Sequence, residues 1–344
     1  MKEFMVTKKQ PEPLRGVNLG GWLVLERWIT PSLFTGLKAK DEYGFCRELG
    51  DEAAGLLEIH RQHFITRDDF KWLAEHGLNA VRLPVGYWIL EDTEPYIGGI
   101  EYVDRAFAWA REFRIQILLD LHGAPGSQNG HDHSGRIGPV AWTDEANLNQ
   151  TLGVLEALAK RYGSHSNLWG IELLNEPSWR IGKRRLREFY EAGYAAVRKH
   201  CGTNVVVVVP DAYHPKRWKR TMQGEGFQSR AMDVHLYQVF GKKDKRRNAS
   251  GVLAHTLAWS KLLKKVGRHW PIVVGEWSVA LNGSSLKGLP KEQIRQARRA
   301  YAATQLLAFE QTEGWFYWTY RTETMDDWSY RRGVEKGWLP SAFS

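Results

Sequence analysis

The chain has 344 residues, 43% hydrophobic and 25% charged, with a net charge of +9 and only two cysteines. This is the composition of a globular protein with a substantial core, which excludes disordered and fibrous classes, and the length falls where α/β barrels run as single domains. Cys46 and Cys201 lie far apart without metal-ligand spacing, so they predict free thiols and neither a zinc site nor a disulfide framework.

In chain order, the first ten residues hold no apolar core of signal-peptide length and no small-residue cleavage site. They favour a cytoplasmic location, with secretion expected if a leader has been removed. Residues 1–14 read as an N-terminal extension to one domain of residues 15–344. Strand-like runs follow at Arg15 to Leu19, Ala80 to Pro84, Gln116 to Leu121, Trp169 to Leu174, Val205 to Val209, Met232 to Leu236, Ile272 to Gly275 and Trp315 to Trp318. Amphipathic helical patterns fill the gaps at Arg67 to His76, Tyr102 to Phe113, Asp144 to Tyr162, Lys183 to His200, Gly251 to Val266 and Lys291 to Thr312. Thr66 before Asp68 and Asp69, and Thr143 before Asp144 and Glu145, mark helix starts. Eight strands with interleaved helices predict a closed α/β fold, the (β/α)8 TIM barrel. An open doubly wound sheet is the rival, but no Gly-rich phosphate loop follows the first strand. The long segments Trp22 to Ile65 and His122 to Trp142 read as loops building a pocket rim. The apolar runs are strand-sized, far short of the roughly 20 residues that span a bilayer, so no membrane span is expected.

Two carboxylates close buried strand runs: Glu176 in Leu-Leu-Asn-Glu-Pro and Glu276 in Ile-Val-Val-Gly-Glu-Trp. Polar or aromatic residues end nearly every other strand: Glu26, Arg82, His122, Asn175, His235, Tyr237 and Trp318. Strand C-termini are where barrel enzymes gather catalytic groups. Glu176 and Glu276 are three βα units apart, so closure brings them to face each other across the mouth, and a pair about 5–5.5 Å apart suits double displacement at an acetal. A single strand-end glutamate is as easily a helix cap or an ion-pair partner; the joint placement carries the reading.

The motifs Arg15-Gly16-Val17-Asn18-Leu19-Gly20-Gly21-Trp22, Val81-Arg82-Leu83-Pro84, Asp120-Leu121-His122-Gly123, Asn175-Glu176-Pro177, His235-Leu236-Tyr237 and Gly275-Glu276-Trp277 resemble glycoside hydrolase family 5, and within it the exo-β-1,3-glucanase branch. The resemblance runs from about Arg15 to Pro340. It implies a retaining hydrolase releasing terminal glucose from β-1,3-glucans or oligosaccharides, with no metal or organic cofactor. Glu276 matches the nucleophile, held ionised by Arg82 and Tyr237, and Glu176 matches the acid/base, its pKa raised by enclosure and nearby negative charge. The resemblance further implies that Asn175 bonds the 2-hydroxyl, that His235 supports the acid/base, that Glu26 and His122 bind other hydroxyls, and that Trp318 floors the sugar subsite. Phe240 matches one of two aromatic residues expected to clamp the next sugar. His131 stands where the other should be Phe, and His133 where the pattern has Asn, which raises the alternative of aryl, steryl or lipid-linked glucosides as substrates.

A sugar-binding barrel without catalysis is the remaining reading, and the joint presence of both glutamates, Arg82 and Tyr237 weighs against it. The basic clusters Lys183-Arg184-Arg185, Lys216 to Arg220, Lys242 to Arg247 and Arg295 to Arg299 read as solvated helix and loop faces, with no nucleic-acid motif beside them.

Overall fold

The computed structural model describes residues 12–343. Eight parallel strands pair in sequence order and close on themselves: β1 (Leu14–Asn18), β2 (Ala80–Gly86), β3 (Gln116–Gly123), β4 (Leu168–Glu172), β5 (Val206–Pro210), β6 (Arg230–Leu236), β7 (Ile272–Trp277) and β8 (Gly314–Tyr317). The expected TIM barrel is therefore present, and its first strand starts at Leu14, one residue ahead of the expected domain boundary. Residues 1–11 of the expected extension lie outside the described residues.

Alternation along each strand sorts side chains between the barrel interior and the helix layer. Leu14, Ala80, Leu118, Val208, Ala231, Val273 and Phe316 form one interior cluster at the lower end. Their sequence neighbours Val81, Ile117, Leu119, Val207, Met232, Ile272, Val274 and Trp315 belong instead to the large core shared with the helices. Gly16 is required here, because a Cβ would stand 2.5 Å from the Phe316 ring. Trp22, Trp88, Trp142, Trp218, Trp270, Trp277 and Trp315 are fully buried, so nearly half of the 16 tryptophans serve packing.

The six expected helices are present with ends shifted by a few residues, for example Lys183–Arg198 and Lys291–Phe309. The segment Trp22 to Ile65, expected to be a loop, instead contains α1 (Glu42–Leu49) and α2 (Glu52–Phe64). α1 is capped by Asp41, whose side chain accepts from the Gly44 N–H, and stops at Gly50 with φ 53°. α2 buries only Ala53, Leu57 and Arg61, one residue per turn. So narrow a stripe leaves a faint apolar period in the sequence. Glu42 anchors this excursion, accepting from the Leu25 N–H at 2.8 Å and the Trp88 indole N–H at 3.0 Å. Among the described residues no helix is long and apolar enough to cross a membrane, and Cys46 and Cys201 are buried free thiols.

Candidate active site

Above the apolar layer the barrel interior turns polar. Arg82 of β2, wholly buried, lies among four carboxylates: its Nε donates to Glu172 at 2.8 Å, and its terminal nitrogens are 3.1 Å from Asp120, 3.8 Å from Asp233 and 3.3 Å from Glu276. It also donates to Asn18 at 3.0 Å and to Asn175 Oδ1 at 2.9 Å. Burial works against its charge, and the surrounding carboxylates hold it protonated. Burial drives Glu172 well above the usual carboxylate range, which relieves crowding of negative charge beneath the mouth.

The next layer up carries the residues expected from the sequence. Alternation puts Asp120 and His122 of β3 on one face, and Asp233 and His235 of β6 likewise. His122 is paired through Nδ1 with Asp120 at 2.6 Å. Burial lowers its pKa, so it stands neutral with Nδ1 donating, and its Nε2 faces the Asn175 amide at 3.4 Å. Its ring stacks on Trp318 with centroids 5.3 Å apart and planes 7° from parallel.

Glu276 owes its direction to an irregularity. Val274 opposes Val234 across β6 and β7, but His235 opposes Glu276, so Gly275 is passed over. Strict alternation from Val273 inside and Val274 outside would send Glu276 to the helix layer; the bulge turns it inward. Only glycine fits at 275, since a Cβ would lie 2.0 Å from Asp233 Oδ2, and the Gly275 N–H donates to that same carboxylate at 2.6 Å.

Glu176 follows β4 with φ 39°, in the left-handed region, a conformation costing roughly 1–3 kcal/mol for a residue with a side chain. The β3 loop holds it there. Asn129 donates to the Glu176 carbonyl at 3.1 Å, and buried Gln128 donates to the carbonyls of His122 and Asn175 at 2.7 and 2.9 Å. These turns explain why β4 ends at Glu172 rather than at the expected Leu174.

His235 lies between the two glutamates, its Nδ1 2.7 Å from Glu176 Oε1 and 3.4 Å from Glu276 Oε2, while its Nε2 is 3.1 Å from Asp233. A carboxyl oxygen of Glu176, a ring nitrogen of His235 and a carboxyl oxygen of Glu276 all lie within 4.8 Å of one another. Tyr237 donates to Glu276 Oε2 at 2.8 Å. Glu26 is buried, accepts from the Trp28 indole at 2.8 Å, and keeps Oε1 without a protein partner; burial raises its pKa well above the usual range.

Electrostatics correct one expectation. In the sugar-free site the ordering of the pair is the reverse of a charged Glu276 beside a protonated Glu176. Burial pushes Glu176 up, but the hydrogen bond and charge of His235, aided by His133 and Tyr213, hold it below the usual carboxylate range. Glu276 is pushed up to about 7 by burial and by the charge of Glu176, against the pull of His235, Arg82 and Tyr237. The cause is His235. Burial opposes its protonation, yet Glu276, Asp233 and Glu176 raise its pKa well above the ordinary value, and the imidazolium favours the nearer carboxylate. The proton thus rests one hydrogen bond away from the group expected to donate it.

Of the other expected residues, His133 sits 3.6 Å from Glu176 and is lowered to about 4 by burial. His131 lies further out, exposed and stacked on His133 at 5.5 Å. Phe240 is 69% exposed at the rim, edge-on to Tyr237 and beside Trp328. Sequence reasoning missed Asn18, Asp120, Glu172 and Asp233 beneath the mouth, and Tyr213 beside Glu176. Asp120 and Asp233 were detectable, each standing two residues before an expected site histidine on the same strand face.

A family model described as Cellulase (glycosyl hydrolase family 5) matches residues 52–323. The chain is 38% identical to the probable glucan 1,3-beta-glucosidase A of Emericella nidulans, covering 96% of this chain and 90% of that protein. It is also 38% identical to the glucan 1,3-beta-glucosidase of Blumeria graminis, over 96% and 87% respectively. Among solved structures, the rutinosidase from Aspergillus niger superposes with a TM-score of 0.81 at 22% identity, covering 95% of this chain and 98% of that one, a likeness of fold.

Proposed function

The chain belongs to glycosyl hydrolase family 5, and on that premise we propose that it releases terminal glucose from β-1,3-linked glucans or oligosaccharides by a retaining double displacement. One observation carries the mechanism: the two facing carboxyl groups have oxygens within 4.8 Å of each other. That closeness matches the roughly 5–5.5 Å carboxyl separation of retaining pairs better than the roughly 6.5–9.5 Å that accommodates the water of inversion.

In the first step Glu276 attacks the anomeric carbon as the glycosidic bond breaks. The leaving oxygen takes its proton from Glu176, which has received it from His235 across their 2.7 Å contact. The result is a glycosyl ester on Glu276 and a neutral leaving group. Glu176, now ionised, takes a proton from water, whose oxygen displaces Glu276, and passes that proton back to His235, which restores the free enzyme. Arg82 and Tyr237 stabilise the departing carboxylate. Asn175, fixed by Arg82 at its oxygen, offers its N–H groups to the 2-hydroxyl, and Glu26 Oε1 is available to another hydroxyl.

Product analysis on a laminari-oligosaccharide series tests this reading. Stepwise loss of glucose, first appearing as the β-anomer, is the expected result; α-glucose or internal scission would reject it. The exposed His131 in place of an aromatic clamp favours a second reading with the same chemistry, in which the leaving group is a non-sugar such as an aryl, steryl or lipid alcohol.

A further inference from the structure

Beside the acid/base lies a cleft of about 990 Å³ whose lining includes His131, at the position expected to clamp the next sugar. It adjoins the site: Asn129, in its lining, fixes the Glu176 carbonyl, and Tyr213 also lines the small pocket containing Glu176 and His235. Tyr213 follows β5 in a backbone the chain rarely adopts, with Ala212 at φ 48° and Tyr213 at φ 63°, and its N–H donates to Asp211 at 2.8 Å. Consecutive left-handed residues with side chains are strained, and such strain collects where a side chain must be aimed.

Three of the chain's exposed large apolar residues meet in this cleft: Trp179 at 59%, Tyr213 at 46% and Val140 at 38% exposure. Single exposed apolar residues are ordinary, but a cluster marks a binding surface. The lining contains two arginines and no carboxylate. Arg185 is engaged with Glu145 at 3.3 Å. Arg180 lies over the Trp179 ring at 5.4 Å and has no carboxylate partner among the described residues. The cleft thus differs from the sugar pocket, where carboxylates and amides converge on hydroxyl groups. Because Glu176 protonates the glycosidic oxygen, whatever departs with that oxygen leaves on this side.

We propose that the cleft is a leaving-group site for a flat aromatic alcohol bearing an acidic substituent, its ring against Trp179 and Tyr213 and its anion on Arg180. The inference rests on the glucosidase reading above and names a substrate class for it. A glucan chain lying in the same cleft is the rival occupant.

Three substrates decide between them: 4-carboxyphenyl β-glucoside, 4-carbamoylphenyl β-glucoside and laminaribiose. For the wild-type protein KM should be lower for the carboxylate than for the amide, and Arg180→Ala should erase that preference by about threefold to tenfold. Trp179→Ala should raise KM for both aryl substrates by about tenfold, with a much smaller loss on laminaribiose. Losses on laminaribiose that equal or exceed those on the aryl pair would assign the cleft to glucan and overturn the proposal, as would no change in either variant. Calorimetry of free 4-hydroxybenzoate binding to wild type and to Trp179→Ala reads the cleft without turnover; equal binding, or none to wild type, also overturns it. Absence of glucose release from all three substrates would instead reject the glucosidase reading, and the calorimetry would still decide the cleft.

Discussion

The Tyr237 hydroxyl donates to Glu276 Oε2 at 2.8 Å, and it is one of three influences pulling the carboxyl pKa down against burial and against the charge of Glu176. Glu276 must be ionised to attack, so kcat/KM should fall as pH drops through about 7, the value to which that carboxyl is pushed. Removing the donor in Tyr237→Phe takes away a pull that favours the charged form, so the acidic limb should move to higher pH. A pH–rate profile with its acidic limb unmoved, or moved to lower pH, would contradict this assignment; the limb belongs to the coupled cluster as a whole.

Glu176→Ala should lower turnover of an unactivated oligosaccharide by about 10³-fold. The loss should be far smaller for a substrate whose leaving group needs no proton. Added azide should restore rate on the latter and yield the β-glycosyl azide, identified by NMR. The α-azide would show that Glu176 is not the acid/base.

Glu276→Ala should abolish turnover by about 10⁴-fold or more, on activated and unactivated substrates alike. Azide occupying the vacated space would attack from the opposite side to the leaving group and give the α-glycosyl azide. Near-normal activity in this variant would remove the nucleophile from the scheme.

His235→Ala should cost about 10²-fold on oligosaccharides and much less on activated aryl glucosides, because its contact with Glu176 supplies the proton for departure. Equal losses on both substrate classes, measured by steady-state kinetics, would point to a general loss of pocket shape instead.

Away from the pocket, Asp69 accepts from the Thr66 N–H at 2.8 Å and from its hydroxyl at 2.9 Å, and also from the Tyr320 hydroxyl at 2.9 Å. Thr66→Ala should therefore destabilise by about 1 kcal/mol, whereas Asp69→Ala, which also strands Tyr320, should cost about 2–3 kcal/mol. Urea unfolding measures the difference, and kcat should change in neither.

The barrel and the catalytic pair were legible because strands buried on both faces read as apolar runs and the polar groups at their ends break those runs. Glu276 was found by that break. The bulge that aims it was not, because Gly275 shows in the sequence only as a small residue, and its purpose depends on Asp233 across the sheet. The charge ordering of Glu176 and Glu276 was hidden for a similar reason. His235 was expected to support one carboxyl; that it reaches both depends on an interstrand register that local sequence does not encode. α1 and α2 escaped notice because they bury few side chains each.

Glu42 pins the excursion between the first two strands from inside, gripping Leu25 on one side and Trp88 on the other. Two stretches of chain far apart in sequence thereby share one buried carboxylate, so neither can shift without leaving it short of a donor.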